Sequence, residues 1–182
     1  MIEWLLDFFD RRGHNTKELA RRLSLSIQEI KNVDRQYREF QIRKKSGKNR
    51  NVAAPNDDLK RLQRCMLRRL LAKLQVHPQA TGFQPGVSIV ENARCHQSQT
   101  VVIRIDLIDF FPSIDESRIF KYFRFIGWQR KTARLLTELV TWQGVLPQGA
   151  PTSPRLSNLV CYVAFTHGTP TTLQCRCLMT TS

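Results

Sequence analysis

The sequence predicts an α+β fold: one sizeable core with a small helical extension at its N-terminus. Three observations predict it. Apolar residues recur at helical spacing before residue 36, between residues 59 and 74, and again beyond residue 115. Residues 37–54 alternate apolar and polar groups around a Ser-Gly pair, as a hairpin does. Residues 101–105 form a nearly continuous β-branched run, suited to a buried strand.

Taken in order, Ile2, Leu5, Leu6, Phe8 and Phe9 make a helical stripe closed by Gly13. A second helix is expected from Asn15 or Thr16, with Leu19, Ala20 and Leu23 on one face. A third is expected from Ser26, with Ile27, Ile30 and Val33 inward. Residues 16–26 resemble the first half of a helix-turn-helix, and they fit a plain helical packing unit equally well. The hairpin carries Phe40 and Ile42 on one arm and Val52 and Ala54 on the other, has a basic tip, and ends at Pro55. Asn56 can cap the next helix, with Asp57 and Asp58 in its first turn and Leu59, Leu62, Met66, Leu70 and Leu74 inward. Pro78, Gly82, Pro85 and Gly86 make an irregular link, after which Ser88 caps a short helix running through Asn92 and His96. Helices fit residues 115–126 and 129–142, a Gly- and Pro-rich loop fits 144–154, and a final helix is expected from Ser157 to about Phe165.

Charge points to a polyanionic partner. Lys and Arg number 29 against 15 Asp and Glu, a formal balance of +14. Between Arg11 and Lys73 there are 19 basic and 6 acidic residues, so that stretch alone carries +13. Phosphate neutralisation with counterion release favours such a surface. The five cysteines, at 65, 95, 161, 175 and 177, show no CxxC spacing and read as reduced thiols of a cytoplasmic protein. The N-terminal stripe, interrupted by Glu3, Asp7 and Asp10, is no signal peptide, and no apolar run reaches membrane-spanning length.

The candidate chemistry sits at Asp106-Leu-Ile-Asp-Phe-Phe-Pro-Ser113, where two carboxylates follow a hydrophobic strand. A carboxylate is costly there unless it is paired or binds a metal, and hard divalent cations join protein carboxylates to substrate phosphates. Pairing with Arg104, or capping near Ser113, is the structural alternative.

The surrounding residues carry a resemblance. Residues 101–114 resemble motif A of reverse transcriptases of the retron and group II intron type, and Leu146-Pro-Gln-Gly-Ala-Pro-Thr-Ser-Pro-Arg-Leu-Ser-Asn158 resembles their motif B. His77-Pro-Gln-Ala-Thr-Gly-Phe83 and residues 86–96 resemble the block preceding motif A, and residues 40–50 with Pro55 resemble the fingers hairpin. The resemblance implies a polymerase of fingers and partial palm without a thumb. Its divisions would be a helical extension over 1–36, fingers over 37–100 with a helical insertion at 114–143, a partial palm over 101–165, and an aberrant tail over 166–182. The tail shows no sustained period and no Lys, and a frame shift soon after Tyr162 is expected to account for it.

Roles follow by the same resemblance. Asp106 would be catalytic and, with the carbonyl of Leu107, would hold two Mg2+ ions. Lys44 and Arg50 would grip the triphosphate of an incoming dNTP, Asp109 would lie near its sugar, Phe111 would block a ribose 2′-hydroxyl, and Gln148 and Gly149 would touch the nascent base pair. Phe110 is expected to be core packing. Lys45, Lys48, Arg61, Arg64 and Arg68 are the candidate nucleic-acid-binding cations, facing an RNA template, its DNA or RNA primer, or a structured non-coding RNA. The family's Tyr-x-Asp-Asp motif is absent from these 182 residues, so the chain by itself is expected to be inactive. Two other readings remain: a relic that grips RNA through its basic fingers, and a DNA-binding regulator using residues 16–33.

Overall fold

The computed structural model describes residues 13–43, 47, 49–78, 80–84, 86, 88–94, 96–103 and 107–166. Two short helices open it: α1, Thr16–Leu23, and α2, Ile27–Asn32. The Asn15 side chain accepts from the Glu18 amide at the start of α1, and Ser26 with Glu29 forms a reciprocal capping box on α2. Their apolar faces enter the common core through Leu19, Leu23 and Ile30. Residues 13–36 of the expected N-terminal extension are thus packed against the rest of the described residues, and its expected first helix, over residues 2–12, lies outside them. The His14 amide donates to the Gly127 carbonyl at 2.8 Å and the Gln129 amide donates to the His14 carbonyl at 3.0 Å. The Arg22 guanidinium lies 5.2 Å from the centroid of the buried Trp128 ring.

The hairpin forms as the alternation predicts, with β1, Tyr37–Arg43, antiparallel to β2, Asn49–Pro55, and Phe40 opposite Val52. It is the one sheet among the described residues. Burial favours β2: Val52 is buried, whereas its cross-strand partner Phe40 and Ile42, on the same face, are 37% and 48% exposed. Helix α3, Asp57–Arg69, is capped by Asn56 and buries Leu59, Leu62 and Met66, followed by a 3-10 turn at Leu71–Lys73. Gln63 on the same helix is fully buried and donates to both the Tyr37 hydroxyl and the Leu139 carbonyl at 2.8 Å. A short helix α4 occupies Ile89–Arg94.

Helices α5, Glu116–Phe125, and α6, Arg130–Val140, pack on each other across residues 126–129. Their other ends also meet, because the Glu116 amide donates to the Gly144 carbonyl and the Leu146 amide to the Ile114 carbonyl. The pair is therefore an antiparallel helical hairpin. The last helix, α7, Ser153–Thr166, begins four residues earlier than expected. Pro154 lies in its first turn, where a missing N–H costs nothing.

The strand expected over residues 101–105 is not seen where it is described: Val101, Val102 and Ile103 form no strand and are 73%, 58% and 76% exposed, and residues 104 and 105 lie outside the described residues. A β-branched run favours extended backbone, but a strand persists only when a neighbour supplies the ladder, and none of the described residues does so.

Candidate functional site

A cleft of about 540 Å³ opens between the hairpin and the segment that follows α6. Its walls include Gln41, Asn51 and Ala53 from the hairpin, Trp142 and Gln148 beyond α6, and Pro112 beside motif A. The Trp142 indole and the Gln143 amide both donate to the Glu39 carboxylate, at 2.8 and 3.0 Å, closing one side. Tyr37 stacks on Trp142 at 4.9 Å between centroids, and burial pushes its phenol up to about 12.

Motif B is fixed to this cleft by backbone. The Ala53 amide of β2 donates to the Gln148 carbonyl at 2.8 Å, tying loop to hairpin. Gly149 follows at φ +127°, and a Cβ placed there would lie 2.7 Å from Val52 Cγ1 and 2.8 Å from the Ala53 carbonyl oxygen. Glycine is the residue that meets both demands.

Behind the loop, α7 is anchored by polar side chains that belong to the motif but for which sequence reasoning finds no role. Arg155 is buried; its Nε donates to the Leu71 carbonyl at 3.3 Å, Nη1 to Gln84 Oε1 at 2.6 Å, and Nη2 to the carbonyls of Ala72 and Leu74 at 3.3 and 2.5 Å. Desolvation holds this guanidinium below its ordinary pKa. The Asn158 amide donates to the Gly82 carbonyl at 2.7 Å, and the Ser153 hydroxyl to the Pro147 carbonyl at 2.7 Å. The only sequence signal for these anchors is polar side chains inside an otherwise apolar helix.

Motif A is held more loosely. Leu107 is 60% exposed, and Asp109 is exposed at φ +48°, its carbonyl accepting from the Ser113 amide. Phe111 is the buried member of the aromatic pair, in contact range of Phe83 and Phe110, whereas Phe110 is half-buried. The packing expected for Phe110 is thus stronger at Phe111, because the turn over residues 108–114 directs Phe111 and Ile114 inward together. Arg50 is half-buried on β2 next to the cleft residue Asn51, and its Nε has no hydrogen-bond partner among the described residues. Arg61, Arg64 and Arg68 stand exposed on α3, with Arg61 paired to Asp58. Asp106, Lys44, Lys45 and Lys48 lie outside the described residues. The structure therefore brings together the hairpin, Gln148 and the residue following Phe111, while Leu107, Asp109 and the α3 arginines lie outside the cleft lining. Among the described residues no group of three His, Cys, Asp or Glu side chains is placed to hold a metal ion. Cys65 and Cys161 form no disulfide, and no described helix is long and apolar enough to cross a membrane.

Residues 42–178 match the family described as reverse transcriptase (RNA-dependent DNA polymerase). The chain belongs to the reverse transcriptase family. The match takes in the end of β1, all of β2, both motif segments and residues 166–178 of the tail. Its relatives identify it as retron-type. The retron Ec86 reverse transcriptase of Escherichia coli is 34% identical over 154 residues, covering 81% of this chain and 48% of that protein. The retron Mx162 reverse transcriptase of Myxococcus xanthus is 35% identical, covering 81% of this chain and 36% of that protein, and the Mx65 enzyme of the same organism is 40% identical, covering 69% and 34%. The chain spans about half or less of the length of these curated relatives.

Proposed function

We propose that this retron-type chain carries the fingers and part of the palm of a polymerase that adds dNTPs to a primer on an RNA template. The observation that carries the reading is the tie between Ala53 and Gln148, which fixes the motif B loop against the basic hairpin and shapes the cleft between them. In that arrangement Gly149 lets the loop lie directly on β2, so that it and Gln148 would flank the nascent base pair, and Arg50, with Lys44, would supply cations for a triphosphate. Gln148 contributes a cleft wall; by the family resemblance Asp109 would lie near the sugar and Phe111 would block a ribose 2′-hydroxyl. Exposed Arg61, Arg64 and Arg68, with Lys45 and Lys48, extend the cationic surface toward template or structured RNA.

Enzymes of this family use divalent metals, which neutralise charge on the transferring phosphate. The described carboxylates do not gather into such a site. Asp106 and the Leu107 carbonyl are the groups that would hold magnesium. The 182-residue polypeptide by itself is expected to polymerise negligibly, since it contains no Tyr-x-Asp-Asp sequence.

Two measurements test this. Titrating a fluorescent deoxynucleoside triphosphate into the chain with a primed RNA template should show saturable binding that Arg50→Ala weakens roughly tenfold, as removal of a charge-assisted hydrogen bond does. Equal binding by wild type and Arg50→Ala overturns the cleft assignment. Magnesium-dependent cDNA synthesis by this polypeptide overturns its expected inactivity.

A further inference from the structure

The α5–α6 hairpin has two ends with different chemistry. One end holds the cleft, where Asp115 bridges Val145 and Trp142 follows α6. The other end, residues 121–134, lies about 15 Å away along helices of ten and eleven residues. It has no part in the function proposed above. Residues 116–134 contain six cations, at positions 118, 121, 124, 130, 131 and 134, against one carboxylate, Glu116. At this tip the Phe125 ring is 77% exposed, although Ile119 and Phe123 on the same helix are fully buried. Lys121 stands one helical turn before Phe125 on the same exposed stripe, and Lys131 and Arg134 are exposed just beyond the connection. Among the described residues no carboxylate pairs with any of these three.

We propose that this tip is a second nucleic-acid contact, taking a single-stranded RNA segment whose unpaired base stacks on Phe125 while flanking phosphates lie against Lys121, Lys131 and Arg134. An exposed aromatic ring set among unpaired cations serves nucleic acid well: every base offers a π-face, and the cations neutralise the backbone on either side. An apolar protein partner would instead leave those cations desolvated without a counter-charge. The proposal rests on the reading of the chain as an RNA-using enzyme for its ligand, but not for its location. The tip and the cleft are separate surfaces, so an RNA held in one can extend to the other.

The test is fluorescence anisotropy of a labelled oligouridine RNA of about fifteen nucleotides, titrated with the full chain at several salt concentrations. Phe125→Ala is expected to weaken binding by about 5- to 50-fold, with Phe125→Trp restoring it, as removal and return of one base stack would. Lys131→Ala with Arg134→Ala should flatten the salt dependence by about 1.4 in log–log slope, roughly 0.7 for each single-strand phosphate left without its cation. Because these side chains are exposed, thermal melting should not move. Wild-type affinity and slope in both variants overturn the proposal, as does a change in oligomeric state on Phe125→Ala without a change in RNA binding. A loss confined to the tip variants upholds it and leaves the cleft reading, which rests on triphosphate binding, to its own test; tip variants that bind as wild type while Arg50→Ala alone loses binding overturn it.

Discussion

The two segments that carry the polymerase motifs are held in opposite ways. Residues 146–160 are bound on three sides: backbone to β2 at Gln148, side chain to the 71–84 region through Arg155 and Asn158, and apolar packing through Leu156, Leu159 and Val160. Residues 101–103 and 107–109 lie exposed, and of the described residues in this segment Phe111 and Ile114, at the far end of the turn, are buried in the core, with Phe110 half-buried against it. Both segments resemble their family motifs closely in sequence. The difference teaches that a motif's residues do not bring their own support. Motif B lies where helices and a hairpin already converge, whereas a lone β-branched run depends on strands that the described residues do not provide.

The comparison is broken most forcefully at Gly149. Gly149→Val adds a Cβ within 2.8 Å of two atoms of β2 at a φ of +127°. Overpacking against backbone combined with a strained conformation should destabilise by about 3–5 kcal/mol in urea unfolding. Gly144→Ala, also at positive φ but with open space around it, should cost about 1–2 kcal/mol. Equal costs at the two glycines would show that the loop is not pressed on the hairpin. Next comes Arg155→Met, which retains most of the apolar stem but strands three backbone carbonyls and the Gln84 side chain. A loss of roughly 2–4 kcal/mol is expected, with faster amide exchange spreading into residues 71–84.

A smaller effect separates the two segments by pH. Tyr37 supports the motif B side through Trp142 and Gln63, and its buried phenol titrates near 12 instead of 10. The folded state retains the proton that the unfolded chain releases first. The stability this confers is complete below pH 10 and declines as pH rises from 10 toward about 12. Alkaline unfolding followed by tryptophan fluorescence should start in that window. Tyr37→Phe should shift its onset upward, and an unmoved onset would deny the coupling.

Much of this fold is legible from local chemistry. Asn56 caps the helix that follows it, helices begin directly after Asn15 and Ser26, and the hairpin ends at Pro55. These features depend on neighbours a few residues away, which the sequence displays. The features that were not legible depend on distant partners. The fully buried Gln63 looks like a surface residue of a basic helix until Tyr37 and the Leu139 carbonyl are seen beside it. Arg155 looks like one more nucleic-acid cation until four acceptors surround it. Residues 101–103 fail for the converse reason, since their strong local preference lacks a distant partner. Within the candidate site, Gln148 and Gly149 were recognised by resemblance and lie against the hairpin, while Asp106, Lys44, Lys45 and Lys48 fall outside the described residues.

The smallest effect is the most discriminating for motif A. In a strand buried on both faces, Val102→Thr would place a hydroxyl among apolar neighbours and cost on the order of 1–3 kcal/mol. At a position 58% exposed, in no ladder, the hydroxyl keeps its water and little packing is removed. The expected change is therefore within about 0.5 kcal/mol, as for surface substitutions generally. Amide exchange should agree, with residues 101–103 exchanging near the rate of an open chain while 156–160 are protected. A cost above about 1 kcal/mol, or protection of the 102 amide, would mean that this polypeptide builds a covered strand here, and the contrast between its two motif segments would disappear.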